Sequence, residues 1–180
     1  MSIQNYNQIS LINGKKLLID ANIWISLFHR AGTNPDRKYI DNTVFLKSIL
    51  SKDITIILPC IVLSEVINRL YRFYLADYNN INNASLKLKD FRQYQEFKEA
   101  TSEISLLIKT HMSKLQEKLD TIDDGFRSFD LNEDFFQFLQ TLDFNDLIIA
   151  KICKEQNIDF LVTNDYDMSQ FKDEINILTT

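Results

Sequence analysis

Glycine and proline are scarce in this chain of 180 residues, which contains three glycines and two prolines. Gly14, Gly32 and Gly125 lie too far apart to form a phosphate-binding loop. This spacing excludes a Walker A nucleotide site and a Rossmann dinucleotide fingerprint, since both need clustered glycines. A chain with so few turn-forming residues is expected to be rich in helix.

Cysteine and histidine are equally scarce, with two of each in the sequence. This number excludes a disulfide scaffold, and Cys60, Cys153, His29 and His111 are too scattered for a structural zinc site. The polar N-terminus has no basic segment typical of a signal peptide, and no apolar run is long enough to cross a bilayer. We therefore expect a cytoplasmic protein without a membrane contact.

The composition is otherwise ordinary, with 45% hydrophobic and 25% charged residues. It is typical of a soluble globular protein with one hydrophobic core. The net charge of -5 argues against a nonspecific polyanion binder. A nucleic-acid enzyme can still be acidic overall, provided that its site combines an acidic metal cluster with a local basic face.

Short apolar segments alternate with longer helical ones along the chain. Strands are predicted at residues 16–19, 54–58, 159–163 and 175–178, with helices between them. This alternation predicts a three-layer α/β/α fold around a central parallel sheet of four to five strands. We expect a single domain over residues 1–180, with a helical insertion at about 79–140 that starts at an asparagine-rich loop.

Four acidic residues occupy suggestive positions relative to the strands: Asp20, Glu65, Asp146 and Asp165. In a parallel sheet these side chains can meet at one edge, where ligands bind. Two carboxylates about 4 Å apart repel by about 4 kcal/mol at an effective dielectric of 20, so the cluster needs cations or protonation. Oxygen ligands without nearby His or Cys favour Mg²⁺ or Mn²⁺.

Each acid also has an ordinary structural interpretation. Asp20 is a candidate N-cap, Asp165 a turn residue and Glu65 a solvated helix residue. Asp146 is a candidate third residue of a capping box whose N-cap is Asp143. The order of the four acids and their surroundings, rather than any one of them, carries the functional hypothesis.

Four segments in order resemble the motifs of PIN-domain ribonucleases, a family that includes VapC-like toxins. They are LLIDANIWI at 17–25, PCIVLSEVIN at 59–68, NDLIIA at 145–150 and LVTND at 161–165. The resemblance implies an endoribonuclease in which Asp20, Glu65, Asp146 and Asp165 hold Mg²⁺ or Mn²⁺ and catalyse phosphodiester hydrolysis. It also implies RNA as substrate, with a small antitoxin protein and a homodimer as candidate partners.

Neighbouring polar residues are candidates for supporting roles. Asn22 and Thr163 are candidates for orienting a carboxylate or a water through hydrogen bonds. Asp143 and Asp167 are spare acids near the site and are candidates for capping a helix or for supporting the metal ligands. Arg69 and Arg72 follow Glu65 and are candidate RNA contacts.

Two other functions stay open. One is a catalytically inactive PIN-like protein that binds RNA or serves as a scaffold. The other is a different Mg²⁺ enzyme such as a phosphatase, which Asn22 disfavours because haloacid-type phosphatases carry a second Asp at that position.

Overall fold

The computed structural model describes residues 3–5, 12–28, 37–125, 127 and 143–179. Within these residues six parallel strands form one sheet in the order β1-β6-β5-β2-β3-β4. The strands are β1 (Ile3–Asn5), β2 (Lys15–Ile19), β3 (Ile54–Pro59), β4 (Leu119–Ile122), β5 (Phe160–Val162) and β6 (Ile177–Thr179). The four predicted strands are all present, and β1 and β4 extend the sheet at its two edges.

Helices fill the intervals between the strands. They are α1 (Ala21–Phe28), α2 (Arg37–Leu50), α3 (Cys60–Asn82), α4 (Leu88–Phe91), α5 (Gln95–Leu115) and α6 (Phe144–Glu155). Two 3₁₀ helices span Gln116–Lys118 and Asp167–Phe171. No helix in the described part of the chain is long and apolar enough to span a membrane.

The path of the chain through the sheet gives the molecule its three layers. The chain runs from β2 outward to β3 and β4, then crosses back to β5 and β6. Right-handed crossovers in opposite directions place their helices on opposite faces of a sheet. Accordingly α1 packs against α2 and α3, and α3 against α5, while α6 packs against the 3₁₀ helix at Asp167–Phe171. The predicted three-layer α/β/α architecture is confirmed.

The centre of the sheet is covered on both faces. Leu17, Leu18 and Ile19 of β2 are fully buried, as expected of a parallel strand between two helical layers. Trp24 of α1 is also fully buried and donates its indole N–H to the carbonyl oxygen of Ile19 at 3.0 Å. This bond fixes the first turn of α1 against the end of β2.

The strand order reverses between β2 and β5, which are neighbours in the sheet although β3 and β4 separate them in sequence. In open α/β sheets the crevice beyond the carboxyl ends of such strands is where ligands bind. Asp20 follows β2 and Thr163 follows β5 at this point. The topology therefore directs attention to these residues before any chemistry is considered.

The middle of the chain differs in part from the sequence-based prediction. The expected asparagine-rich loop is wrong at its start, because α3 continues to Asn82 and ends at Asn83 in the left-handed conformation. The Asn79 side chain bonds to both the N–H and the carbonyl oxygen of Leu86, at 3.0 and 3.1 Å, which secures the chain after the helix.

The segment at 79–140, expected to be a helical insertion, contains more than helix. After α4, α5 and a 3₁₀ turn, it supplies β4, which pairs with β3 in the central sheet. Asp124, just beyond β4, accepts a 2.8 Å hydrogen bond from the N–H of Ile61 in the first turn of α3. Residues 128–142 lie outside the described residues.

Candidate functional site

Asp20 lies at the junction of β2 and α1. Its N–H donates to the carbonyl oxygen of Val162 in β5 at 2.9 Å, and its own carbonyl oxygen accepts from Ile23 in the first turn of α1. The residue is 8% exposed, which is unusual for a carboxylate. Asp20 thus directly precedes α1, at the position of an N-cap, and its buried side chain lies at the switch-point crevice.

Two polar side chains hold one oxygen of this carboxylate. Asn22 donates its side-chain amide to Oδ2 of Asp20 at 2.6 Å, and the Thr163 hydroxyl donates to the same oxygen at 2.6 Å. The Asn22 amide also lies 3.1 Å from the Thr163 oxygen, which in turn accepts from the N–H of Asp165 at 2.9 Å. These bonds join the ends of β2 and β5 across the crevice.

Burial raises the pKa of Asp20 to about 6, although the hydrogen bond from Thr163 opposes the rise. The nearby carboxylates of Glu65 and Asp165 raise the pKa further by repulsion. A buried acid that keeps a pKa near neutrality is a feature of functional sites.

Asp146 lies in the first turn of α6, where Asp143 is the N-cap and accepts the N–H of Asp146 at 3.0 Å. This is the expected capping arrangement. Burial raises the pKa of Asp146 to about 7, and repulsion from Asp143, Asp165, Asp20 and Glu65 adds to the rise. The charges of all three other predicted acids therefore act on Asp146.

Glu65 is half-buried on α3, and the side-chain amide of Asn145 donates to its Oε2 at 3.3 Å. This contact links α3 to the first turn of α6. Asn145 was not among the predicted site residues. Its position beside Asp146 at the start of a helix was the available signal, but a single Asn at that place is also common in ordinary helix termini.

Asp165 is exposed and accepts the N–H of Asp167 at 2.9 Å, which starts the second 3₁₀ helix. Asp167 contributes its backbone to this contact, and its side chain is exposed. Of the four predicted supporting residues, Asn22 and Thr163 bond to Asp20 directly. Asp143 supports the helix that carries Asp146.

The carboxylates are near one another but are not gathered into a finished ligand set. Within the described ranges, no group of three or more Asp, Glu, His or Cys side chains is placed to hold a metal ion. No Lys or Arg of these ranges forms an ion pair with Asp20, Glu65, Asp146 or Asp165. The site thus offers oxygen donors and uncompensated repulsion, a combination that suits a hard divalent cation.

A polar cleft of 480 Å³ opens beside these acids, between α3 and the start of α6. The start of α6 contributes Asp143 and Asn145 to its lining, and α3 contributes Ile61, Ser64, Glu65, Asn68, Arg69 and Arg72. Both predicted RNA-contact residues, Arg69 and Arg72, are exposed in this cleft. The structure therefore places positive charge next to the acidic crevice.

Comparison with known families gives a match over most of the chain. The family model described as the PIN domain matches residues 17–174, which is most of the chain and includes all four acidic segments. No curated protein matches the chain.

Proposed function

The chain belongs to the PIN domain family, whose members are generally nucleases, and from this we propose that it is a metal-dependent endoribonuclease. The observation that carries the proposal is the electrostatic coupling at the switch point. Asp20 and Asp146 come from opposite layers of the molecule, yet both have raised pKa values that Glu65 and Asp165 help to raise. The mutual repulsion of these acids destabilises the fold unless protons or a cation neutralise their charge.

Asp20, Glu65, Asp146 and Asp165 would hold Mg²⁺ or Mn²⁺. A divalent ion bound there would lower the pKa of a bound water and would neutralise charge that develops on the phosphate. Since no three acids of the described residues are placed around one point, binding would require side-chain rotation that brings the four together. Relief of the mutual repulsion favours that closure.

The surrounding residues prepare the acids for this task. Asn22 and Thr163 fix one oxygen of Asp20, so its carboxylate has little freedom to turn away. Asn145 restrains Glu65, and Asp143 holds the first turn of α6 under Asp146. Hydrogen bonds of this kind orient metal ligands in proteins.

Cleavage of labelled RNAs by the purified protein, with Mg²⁺, with Mn²⁺ and with EDTA, tests the proposal. The variants are Asp20→Asn and Asp146→Asn, and Asp173→Asn on the exposed surface is the matched control. We expect metal-dependent cleavage by the wild type and the control, and a loss of at least 100-fold in the two site variants, in the range seen when one stabilising group is removed from an active site. Equal cleavage by all four proteins, or cleavage in EDTA, contradicts the proposal.

A second function is favoured by the absence of a finished ligand set in the described residues. In this alternative the chain is a catalytically inactive PIN domain that binds RNA or serves as a scaffold. Titration with Mn²⁺, followed by thermal unfolding, separates the two. Stabilisation by Mn²⁺ supports the nuclease, and RNA binding without any response to Mn²⁺ supports the scaffold.

We also propose that the protein acts in the cytoplasm as the toxin of a toxin–antitoxin pair, with a small antitoxin or a second copy as its protein partner. An apolar groove of 360 Å³ between α3 and α5 supports a protein contact, since Leu106 at its edge is 66% exposed. Arrest of cell growth on expression, relieved by the product of a neighbouring small gene, is the expected result. Unimpaired growth with full nuclease activity contradicts the toxin role.

A further inference from the structure

The polar cleft beside the acids has a regular relation to Glu65. Glu65, Arg69 and Arg72 are spaced by four and three residues on α3, so they share one face of the helix. At 1.5 Å per residue, Arg72 lies about 10 Å along the helix axis from Glu65. A nucleic-acid strand with its cleaved bond at the acids would therefore meet the two arginines in succession if it ran along α3.

The two arginines are available for such a contact. Within the part of the chain that the structure describes, neither Arg69 nor Arg72 forms an ion pair. Asp143 and Glu65 also line the cleft and accept hydrogen bonds from Asp146 and Asn145, and neither carboxylate forms an ion pair with these arginines. The guanidinium groups are thus left to bind anions that enter the cleft, and guanidinium matches phosphate geometry.

The remaining lining favours unpaired nucleotides. Ser64 and Asn68 are exposed in the cleft and can both donate and accept hydrogen bonds. The volume of the cleft, 480 Å³, is within the range of pockets that hold one small organic group, such as a nucleotide. Proteins recognise RNA bases chiefly where the strand is single and the base edges are accessible.

We propose that this cleft binds the single-stranded nucleotides on one side of the cleaved bond, with Arg69 and Arg72 on backbone phosphates and Ser64 and Asn68 at the bases. The inference rests on the proposed nuclease function and adds a direction to it. Nucleotides on the α3 side of the cleaved bond contribute to binding, and those on the other side do not use this cleft.

Salt-dependent binding tests the arginines. The wild type, Arg69→Ala/Arg72→Ala and Arg69→Lys/Arg72→Lys are each titrated with a labelled single-stranded RNA in EDTA, over a range of salt concentrations. For single strands the slope of log K against log salt changes by about 0.7 per phosphate contact, so the alanine variant should lose about 1.4. The lysine variant should keep the slope. The control Lys98→Ala/Lys109→Ala removes two exposed charges from α5 and should also keep it.

Cleavage of truncated substrates tests the direction. RNAs that share one cleaved bond are shortened one nucleotide at a time from either end. For the wild type we expect kcat/KM to fall by at least 10-fold on shortening from one end, mainly through KM. The alanine variant should lose this dependence while its thermal unfolding stays unchanged.

The outcomes distinguish failure of the proposed cleft from failure of the proposed nuclease function. In one outcome the alanine variant keeps metal-dependent cleavage together with the salt slope and the length dependence of the wild type. That result overturns the proposed role of the cleft in RNA binding and is consistent with the proposed nuclease function. The same titrations are repeated with a duplex of the same sequence, and an equal loss of binding to both RNAs in the alanine variant overturns the preference for unpaired nucleotides. Absence of any RNA binding or cleavage by the wild type overturns the proposed function, and the inference with it.

Discussion

Replacing Asp20 by Asn should change the stability of the metal-free protein in a direction that depends on pH. The pKa of this carboxyl rises from 3.8 to about 6 on folding, chiefly because the group is buried. The folded state therefore retains a proton that the unfolded chain releases between pH 4 and 6. The contribution of Asp20 to stability is present below pH 4 and is lost as the pH rises through 6.

The magnitude follows from the same values. At 1.36 kcal/mol per pKa unit, a rise from 3.8 to about 6 is worth about 3 kcal/mol of stability lost at pH 8. Asn at this position stays neutral and does not suffer the loss, but its NH₂ group replaces an oxygen that accepts hydrogen bonds. One missing bond costs about 1 kcal/mol. Asp20→Asn should therefore be about 1–2 kcal/mol more stable than the wild type at pH 8 and about 1 kcal/mol less stable at pH 4.

Urea unfolding in EDTA at pH 4, 6 and 8 measures this difference, with Asp173→Asn as the control. Asp173 is exposed, so its variant should follow the wild type at every pH. A difference between Asp20→Asn and the wild type that is the same at pH 4 and pH 8 would refute the reasoning, because a buried acid with a raised pKa cannot give it. Destabilisation at pH 8 would refute it as well.

Three further predictions concern the metal, the hydroxyl and the core. Mn²⁺ at 100 times its dissociation constant should stabilise the wild type by about 2.7 kcal/mol in a thermal-unfolding titration. The concentration needed should be lower at pH 8 than at pH 5.5, because the raised pKa values of Asp20 and Asp146 let protons compete with the metal at pH 5.5. Equal stabilisation of Asp20→Asn would contradict this prediction. Thr163→Val should weaken Mn²⁺ binding by about 10–100-fold, because the hydroxyl donates to Asp20 and accepts from the N–H of Asp165. Thr163→Ser keeps the hydroxyl and should keep the affinity. Calorimetric titration measures both, and unchanged affinity in the valine variant would contradict the prediction. Trp24→Ala should lower the free energy of unfolding by about 3–5 kcal/mol in urea, since Trp24 is fully buried and bonded to Ile19, and a loss below 1 kcal/mol would contradict the packing described.

The layout of the fold could be predicted because its signals are local. Leu17–Ile19 is an apolar run of strand length, and a parallel strand covered on both faces has this composition. The acid that follows such a run must lie at the carboxyl end of the sheet, so the position of Asp20 followed from the strand alone.

The edge strands lacked such a signal. In β4, Asp120 and Thr121 are exposed and no residue is fully buried, so the segment has neither an apolar run nor a clear alternation. The strand forms because the exposed edge of β3 offers it a partner. Tertiary context of this kind does not appear in a local pattern.

The contacts within the site were also beyond the sequence. That Thr163 would donate to the same oxygen of Asp20 as Asn22 depends on side-chain rotamers and on the register of β2 and β5. The contact between Asn145 and Glu65 depends on where the first turn of α6 lies relative to α3. The four acids could be identified from their order in the sequence. The polar groups that bond to them are determined by packing, which the sequence does not show.

The bond between Thr163 and Asp20 joins residues that are 143 positions apart in the chain. Because β5 lies beside β2 and forms one side of the crevice, the crevice is incomplete until β5 has been synthesised and has docked. Contacts of such long sequence separation form late in folding. A growing chain that carries Asp20 and Glu65 therefore lacks a complete site until residues 160–165 have been added. Under the ribonuclease function proposed above, a chain at this stage would not yet cleave RNA.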